Sequence, residues 1–264
     1  MNIDLKQRKA IVTGSTAGIG LAIATGLALA GAEVVVTGRT QARVKTALAL
    51  ITEEAPNATL IGFAADLGTA EGAEQLIAEV PEADILVNSL GIFEPKGFFD
   101  IPDDDWMRFF EVNVMSGIRL SRHYAPGMAK RNWGRIQFLS SESGVQIPVE
   151  MVHYGMTKTA LLAVARGLAE TLAGTNVTVN AVLPGPTRSE GVGAFFAKIA
   201  AEQGATQEQV ERDFIATHRP SSLIKRLASV TEVANLCVYL ASEQASATTG
   251  AALRVDGGVV RSIL

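Results

Sequence analysis

The sequence predicts a doubly wound α/β fold, a parallel sheet of seven strands with helices on both faces. Three observations carry that prediction. Short runs of Val, Ile and Leu alternate with longer amphipathic stretches, the order that builds βαβ units. Several of the short runs are apolar at successive positions, as strands covered on both faces are. A glycine-rich turn, TGSTAGIG, lies directly between the first run and the first helical stretch.

In chain order the predicted strands are Ala10–Gly14 (AIVTG), Glu33–Gly38, Leu60–Asp66 and Ala83–Asn88, then Gly134–Ser141, Asn176–Pro184 and Gly250–Asp256. Helical patterns occupy 18–30, 41–54, 70–79, 103–130, 152–173 and 231–241. Two helix starts place acids at the positive end of the helix dipole: Asp103 to Asp105 before WMRFFEVNVM, and Glu232 after Thr231. No Pro/Ser-rich linker or internal repeat divides the chain, so residues 1–264 read as one domain. Regular alternation fails once, at 189–227, which carries its own helical pieces and reads as a small lid inserted before the last helix.

Composition narrows the function classes. Hydrophobic residues make up 48% and charged residues 19%, an ordinary globular balance. A net charge of −4 gives no reason to expect nucleic acid or an anionic membrane as partner. Cys237 is the sole cysteine, which excludes an intrachain disulfide and fits a reducing compartment. The N-terminal stretch has no signal-peptide core, and the Ala-rich stretches are too interrupted to span a bilayer, so a cytoplasmic protein is expected. His123 and His218 have no Cys, Asp or Glu at ligand spacing, and no metal is assigned.

Glycines at a strand-to-helix turn let the backbone approach a pyrophosphate, and the helix N-terminus adds N–H groups and positive potential. Here Gly14, Gly18 and Gly20 are spaced G-x-x-x-G-x-G; a tight βα connection without a ligand is the plainer alternative. The second strand ends Val36-Thr37-Gly38-Arg39-Thr40, with no acid where an NAD-binding fold places one on the adenine ribose. Arg39 could pair with a 2′-phosphate and stack on adenine, which favours NADP(H), with NAD(H) and a solvated loop arginine as alternatives.

Tyr154 and Lys158 stand four apart in a predicted helix and therefore share a face. An ammonium beside the phenol favours the phenolate and pulls the Tyr pKa down from about 10. A tyrosine so tuned exchanges a proton with a substrate oxygen near neutral pH. Alone, the spacing could equally be a surface accident.

TGSTAGIG, the distal YxxxK at Tyr154–Lys158 and Ser141 thirteen residues before the Tyr together resemble the short-chain dehydrogenase/reductase family. Asp66-Leu67, NSLG at Asn88–Gly91, Asn113 in EVNVM, PGPTRS at Pro184–Ser189 and VDGG at Val255–Gly258 extend the resemblance over 8–260. It implies a Rossmann-like fold and proton and hydride exchange at an alcohol or carbonyl carbon. Tyr154 would be the acid in reduction and the base in oxidation. Lys158 would tune it and hold the nicotinamide ribose, Ser141 would donate to the substrate oxygen, and Asn113 would anchor a water leading from Lys158 to solvent. For the cofactor, the resemblance implies pyrophosphate contacts at Ser15, Thr16 and Ile19 within the glycine turn. It implies adenine contacts at Asp66 and Leu67, adenosine flanks at Asn88 and Gly91, and carboxamide contacts at Pro184, Gly185 and Thr187. A homotetramer or homodimer is also implied.

One departure stands out: NSLG replaces the family's NNAG, which puts the bulkier Leu90 near the adenosine loop. Ser140 is expected to serve the backbone. His153 is expected to wall the substrate pocket or to pack. Phe98, Phe99, Trp106, Phe109 and Phe110 are expected in the core or at a subunit contact. Phe195 and Phe196 would close over an apolar substrate or anchor the lid. Two other functions remain open, a dinucleotide-sensing regulator without turnover and an epimerase or dehydratase using the same Tyr. Sugars, acyl thioesters, steroids and small ketones are all open as substrates.

Overall fold

The computed structural model describes residues 2–263, with the side chain of Phe195 outside the description. The first half of the chain runs β1 (Lys9–Val12), α1 (Gly18–Leu29), β2 (Glu33–Gly38), α2 (Gln41–Glu54), β3 (Leu60–Ala64), α3 (Ala70–Glu79) and β4 (Ile85–Asn88). It continues through α4 (Asp103–Phe110), α5 (Ser116–Lys130), β5 (Gly134–Leu139), α6 (Val152–Thr171) and β6 (Val177–Pro184). The remainder is β7 (Thr187–Arg188), α7 (Glu190–Gln203), α8 (Gln207–His218), β8 (Ala228–Ser229), α9 (Val230–Leu240) and β9 (Ala252–Val255). The main sheet has seven parallel strands in the order β3-β2-β1-β4-β5-β6-β9.

That order explains the unbroken apolar runs. Along β1 and β2, Val12, Val34 and Val36 enter one core layer with α1 and α9, while Ile11 and Val35 enter the other, shared with α5 and α6. The two-residue period of a strand sends successive side chains to opposite faces, and both faces are covered by helices. The connections leave β1 in one direction and β4 in the other. The carboxyl ends of the strands therefore open a crevice at that reversal, where such sheets take ligands.

The predicted helices at 41–54 and 70–79 stand as expected. The stretch 103–130 differs. A π-helical turn, Glu111–Met115, separates α4 from α5 and points the buried Asn113 inward. Such turns widen one helical repeat by a residue, which hydrophobic spacing does not reveal. The last helix starts earlier than its Thr231-Glu232 signal: Ser229 is the N-cap, in a reciprocal capping box with Glu232.

The inserted segment holds α7 and α8 around a small cluster of its own, Phe196, Ala200, Val210, Ile215 and Leu227. Its ends are pinned together where β7 pairs with β8. Phe196 is buried against Phe214, ring centroids 5.1 Å apart, so it anchors the segment. Among the described residues, no helix is long and apolar enough to cross a membrane.

Candidate active site

The glycine turn is shaped by contacts that side chains would block. Gly14 and Gly18 have φ of 65° and 56°, and a Cβ on Gly20 would come 2.4 Å from the Gly14 carbonyl oxygen. α1 can therefore start tight against the end of β1. Beyond the turn lies an open cleft lined by Gly14, Thr16, Leu67, Leu90 and Gly91, with Gly38, Arg39 and Arg43 at the β2 end. Arg43, in the first turn of α2, is a second guanidinium here that the sequence reading missed. Its signal was its place in the first turn of the helix predicted at 41–54, directly after the β2 end. A Cβ on Gly38 would lie 2.4 Å from the Thr16 methyl, so an acidic side chain at that point would have to displace Thr16.

Two expected cofactor contacts are turned elsewhere. Ser15 spends its amide on the Thr37 carbonyl and its hydroxyl on the Val12 carbonyl, which leaves it no donor for a phosphate. Its role is to brace the turn against β2. The Asn88 carboxamide donates to Ser121 on α5, away from the cleft. Asp66 caps its own turn by accepting from the Gly68 amide, while Leu67 reaches the cleft wall. Gly185 packs so closely on Asp256 that a Cβ would meet its carbonyl at 2.6 Å, and Thr187 donates to the Gly185 carbonyl. Pro184 ends β6, and Ile19 lies in the first turn of α1.

Ser141, Tyr154, Lys158 and Asn113 come together past the end of β5. Lys158 is buried, with Nζ donating to the Leu139 carbonyl at 2.7 Å and standing 5.5 Å from the centre of the Tyr154 ring. Burial pulls it down to about 8. Tyr154 moves the opposite way from the sequence expectation. Burial and then the negative charge of Glu142 push it well above its ordinary value, while a hydrogen bond with Ser141 and the charge of Arg219 act weakly against them. The ammonium lies over the Tyr154 ring and is engaged by a backbone carbonyl, and burial dominates the shift of the phenol. Phe93 closes the outer side, edge-on to Tyr154 at 6.4 Å.

Asn113 is committed to the protein. Its Oδ1 accepts from the Ile92 amide at 2.7 Å, and its Nδ2 donates to the Ile92 carbonyl and to Thr157 Oγ1, both at 3.0 Å. Thr157 in turn donates to the Tyr154 carbonyl at 2.7 Å. The π turn thus ties the loop after β4 to α6. Ser140 donates to the Lys158 carbonyl and serves the backbone, as expected. His153 packs rather than lining a pocket: its buried ring lies 4.0 Å from that of Phe109, and burial lowers its pKa. Phe109 is core, whereas Phe99 is 99% exposed.

The chain matches the family model described as enoyl-(acyl carrier protein) reductase over residues 14–260. It is 47% identical over 263 residues to the uncharacterized oxidoreductase YvaG of Bacillus subtilis, covering 100% of both chains. It belongs to the short-chain dehydrogenase/reductase family. Another family member, the 3-oxoacyl-[acyl-carrier-protein] reductase FabG of Aquifex aeolicus, is 34% identical over 98% of this chain and 100% of its own. Among solved short-chain dehydrogenase/reductases, the L-sorbose reductase of Gluconobacter frateurii, complexed with NADPH and L-sorbose, superposes with a TM-score of 0.92 at 31% identity. Both chains are covered completely. This short-chain dehydrogenase/reductase is accordingly an NAD(P)-dependent oxidoreductase, and the side-chain-free cradle at Gly14 and Gly20 fits a dinucleotide.

Proposed function

We propose that this chain is an NADP(H)-preferring reductase of carbonyl compounds, running in reverse as an alcohol dehydrogenase, with Tyr154 as the proton donor. The observation that carries the reading is the convergence of Ser141, Tyr154 and Lys158 at the carboxyl end of β5, next to the glycine cleft. A bound nicotinamide cofactor supplies or accepts the hydride. The chain's part is to orient and to handle the proton. Tyr154, raised by burial, keeps its proton at neutral pH, the form that can donate to a carbonyl oxygen. Ser141 stands within hydrogen-bonding reach of that phenol, placed to share the substrate oxygen. Lys158 lies close to Gly91 on the cleft wall, where it would hold the cofactor ribose. Asn113 would keep Thr157 and the Tyr154 turn in place.

Preference for the phosphorylated cofactor is supported by Arg39 and Arg43 at an acid-free β2 end. Gly14, Thr16, Gly18, Gly20, Leu67 and Gly91 would form the rest of the cofactor surface, with Pro184, Gly185 and Thr187 toward the nicotinamide. The inserted segment would act as the lid, and the functional form would be a cytoplasmic homotetramer or homodimer. L-Sorbose and ethyl acetoacetate are reasonable first substrates, since relatives are named for a ketose and for 3-oxoacyl groups.

Tyr154→Phe should abolish turnover while leaving NADPH affinity largely intact; near-normal turnover would refute the proton role. Wild type should show higher kcat/KM with NADPH than with NADH, and Arg39→Ala/Arg43→Ala should lower that ratio by about 100-fold as two charged hydrogen bonds are lost. A clear NADH preference in wild type would sink the cofactor assignment.

A further inference from the structure

The turn after β5 buries a carboxylate against Ser141. Glu142 is 5% exposed, and its Oε2 accepts the Ser141 hydroxyl hydrogen at 2.5 Å. Among the described residues, Ser141 is the only donor to that oxygen. The other oxygen, Oε1, accepts from Arg219 Nε at 3.0 Å. Arg219, just past α8, is buried too, and its Nη1 donates to Glu150 at 3.4 Å and to the His218 carbonyl at 2.7 Å. Burying such a pair costs desolvation on both sides, and apolar residues would pack the space at least as stably. Packing alone therefore gives no reason for a carboxylate here.

A hydroxyl has one hydrogen to give. In the proposed reaction Ser141 gives it to the substrate oxygen, so its bond to Glu142 is released as substrate binds. A buried charged acceptor left without a donor is costly. Arg219 holds Oε1 and keeps the carboxylate from turning away, so the replacement donor has to arrive with the substrate. Two hydrogen bonds in series put a substrate oxygen on Ser141 within about 5 Å of Oε2. A hydroxyl on the carbon next to the carbonyl can bridge that gap and donate; a methylene there cannot. We infer that the substrates of this enzyme are α-hydroxy ketones, the ketose class, and that Glu142, fixed by Arg219, determines that specificity by accepting from the α-hydroxyl as Ser141 turns to the carbonyl oxygen.

Hydride from the bound cofactor goes to the carbonyl carbon and the Tyr154 proton to its oxygen, so the product is a vicinal diol. A 3-oxoacyl group has only methylene carbons beside its ketone and leaves Glu142 unmet. An α-keto acid sets a second carboxylate against it, and like charges repel. The inference rests on the carbonyl-reductase reading. Its test measures kcat/KM of wild type and Glu142→Gln with NADPH and small ketones: hydroxyacetone, 2-butanone and methoxyacetone. 2-Butanone replaces the hydroxyl with a methyl group of similar bulk. Methoxyacetone keeps the electron-withdrawing oxygen, and with it the activated carbonyl, but has no hydrogen to give.

Wild type should prefer hydroxyacetone to both other ketones by about 100-fold, because a site built to bond a substrate hydroxyl rejects an analogue that leaves its buried acceptor unpaired. In Glu142→Gln the preference should shrink to about 10-fold, since a neutral carboxamide accepts more weakly than a carboxylate. Wild type that takes hydroxyacetone no better than 2-butanone or methoxyacetone overturns the inference without any variant. A folded Glu142→Gln that loses rate equally on all the ketones overturns it as well and leaves the pair a structural clamp. If Glu142→Gln fails to fold, the wild-type ratios decide alone. Absence of turnover with every ketone, ethyl acetoacetate included, would instead remove the carbonyl-reductase reading, a result distinguishable from the others.

Discussion

Replacing Asn113 with Ala removes three hydrogen bonds from a buried site: the Ile92 amide, the Ile92 carbonyl and Thr157 Oγ1 all lose their partner on the π turn. Each such bond contributes about 1 kcal/mol net, and groups left unpaired away from water raise that. A loss of about 3 kcal/mol is expected, which for a chain of this size lowers Tm by about 6–12 °C. The loss reaches chemistry as well. Thr157 holds the Tyr154 carbonyl, and the loop carrying Ile92 follows Gly91 on the cleft wall, so slack here displaces both the phenol and the cofactor surface. Differential scanning calorimetry and steady-state kinetics on the same preparation check it. Asn113→Asp should resemble Asn113→Ala in Tm, because a carboxylate accepts from Ile92 but cannot donate to the other two partners. A variant with lower kcat and an unchanged Tm would refute the reasoning, since it would show that the side chain matters to the reaction without tying the π turn to its neighbours.

Alkaline pH should destabilise the fold. Burial raises Cys237, Tyr124 and Tyr154, so above their unfolded values of about 9 and 10 the unfolded chain releases protons the folded one keeps, and stability present below that range is lost as pH rises. Lys158, lowered to about 8, acts in the opposite sense up to about pH 10.5. Three groups against one give a net loss of about 3 kcal/mol between about pH 10 and 11; a flat or rising Tm over that window would contradict the assignment. Gly72→Ala should cost about 3 kcal/mol and raise the NADPH Kd, because its Cβ would sit 2.0 Å from the Asp66 carbonyl oxygen and push on the turn that presents Leu67. A Tm within about 1 °C of wild type would show that the turn yields without strain.

The parts legible in sequence were those set by local periodicity and by turns. Runs such as VVV in β2 announce a strand buried on both faces, and Gly14 and Gly20 mark a place where backbone must meet backbone. Tyr154 and Lys158 share a helix, so their proximity follows from helical geometry alone. The order and spacing of the motifs along the chain match the short-chain dehydrogenase/reductase family to which it belongs.

Other features depend on distance in space, which one-dimensional spacing does not encode. Asn113 was recognised by motif, yet only the π turn shows its amide spent on Ile92 and Thr157. Ser15 and Asn88 fit the cofactor pattern, but the Ser15 amide and the Asn88 carboxamide run into the scaffold because Thr37 and Ser121 arrive from other elements. Arg219 meets Glu142 only because the end of the inserted segment is brought to the turn after β5. The sign of the Tyr154 shift shows the difference most directly. Sequence determined that a cation stands four residues away; tertiary structure decided that burial and a neighbouring carboxylate outweigh it, because dielectric surroundings and the direction in which a side chain points are properties of the packed whole.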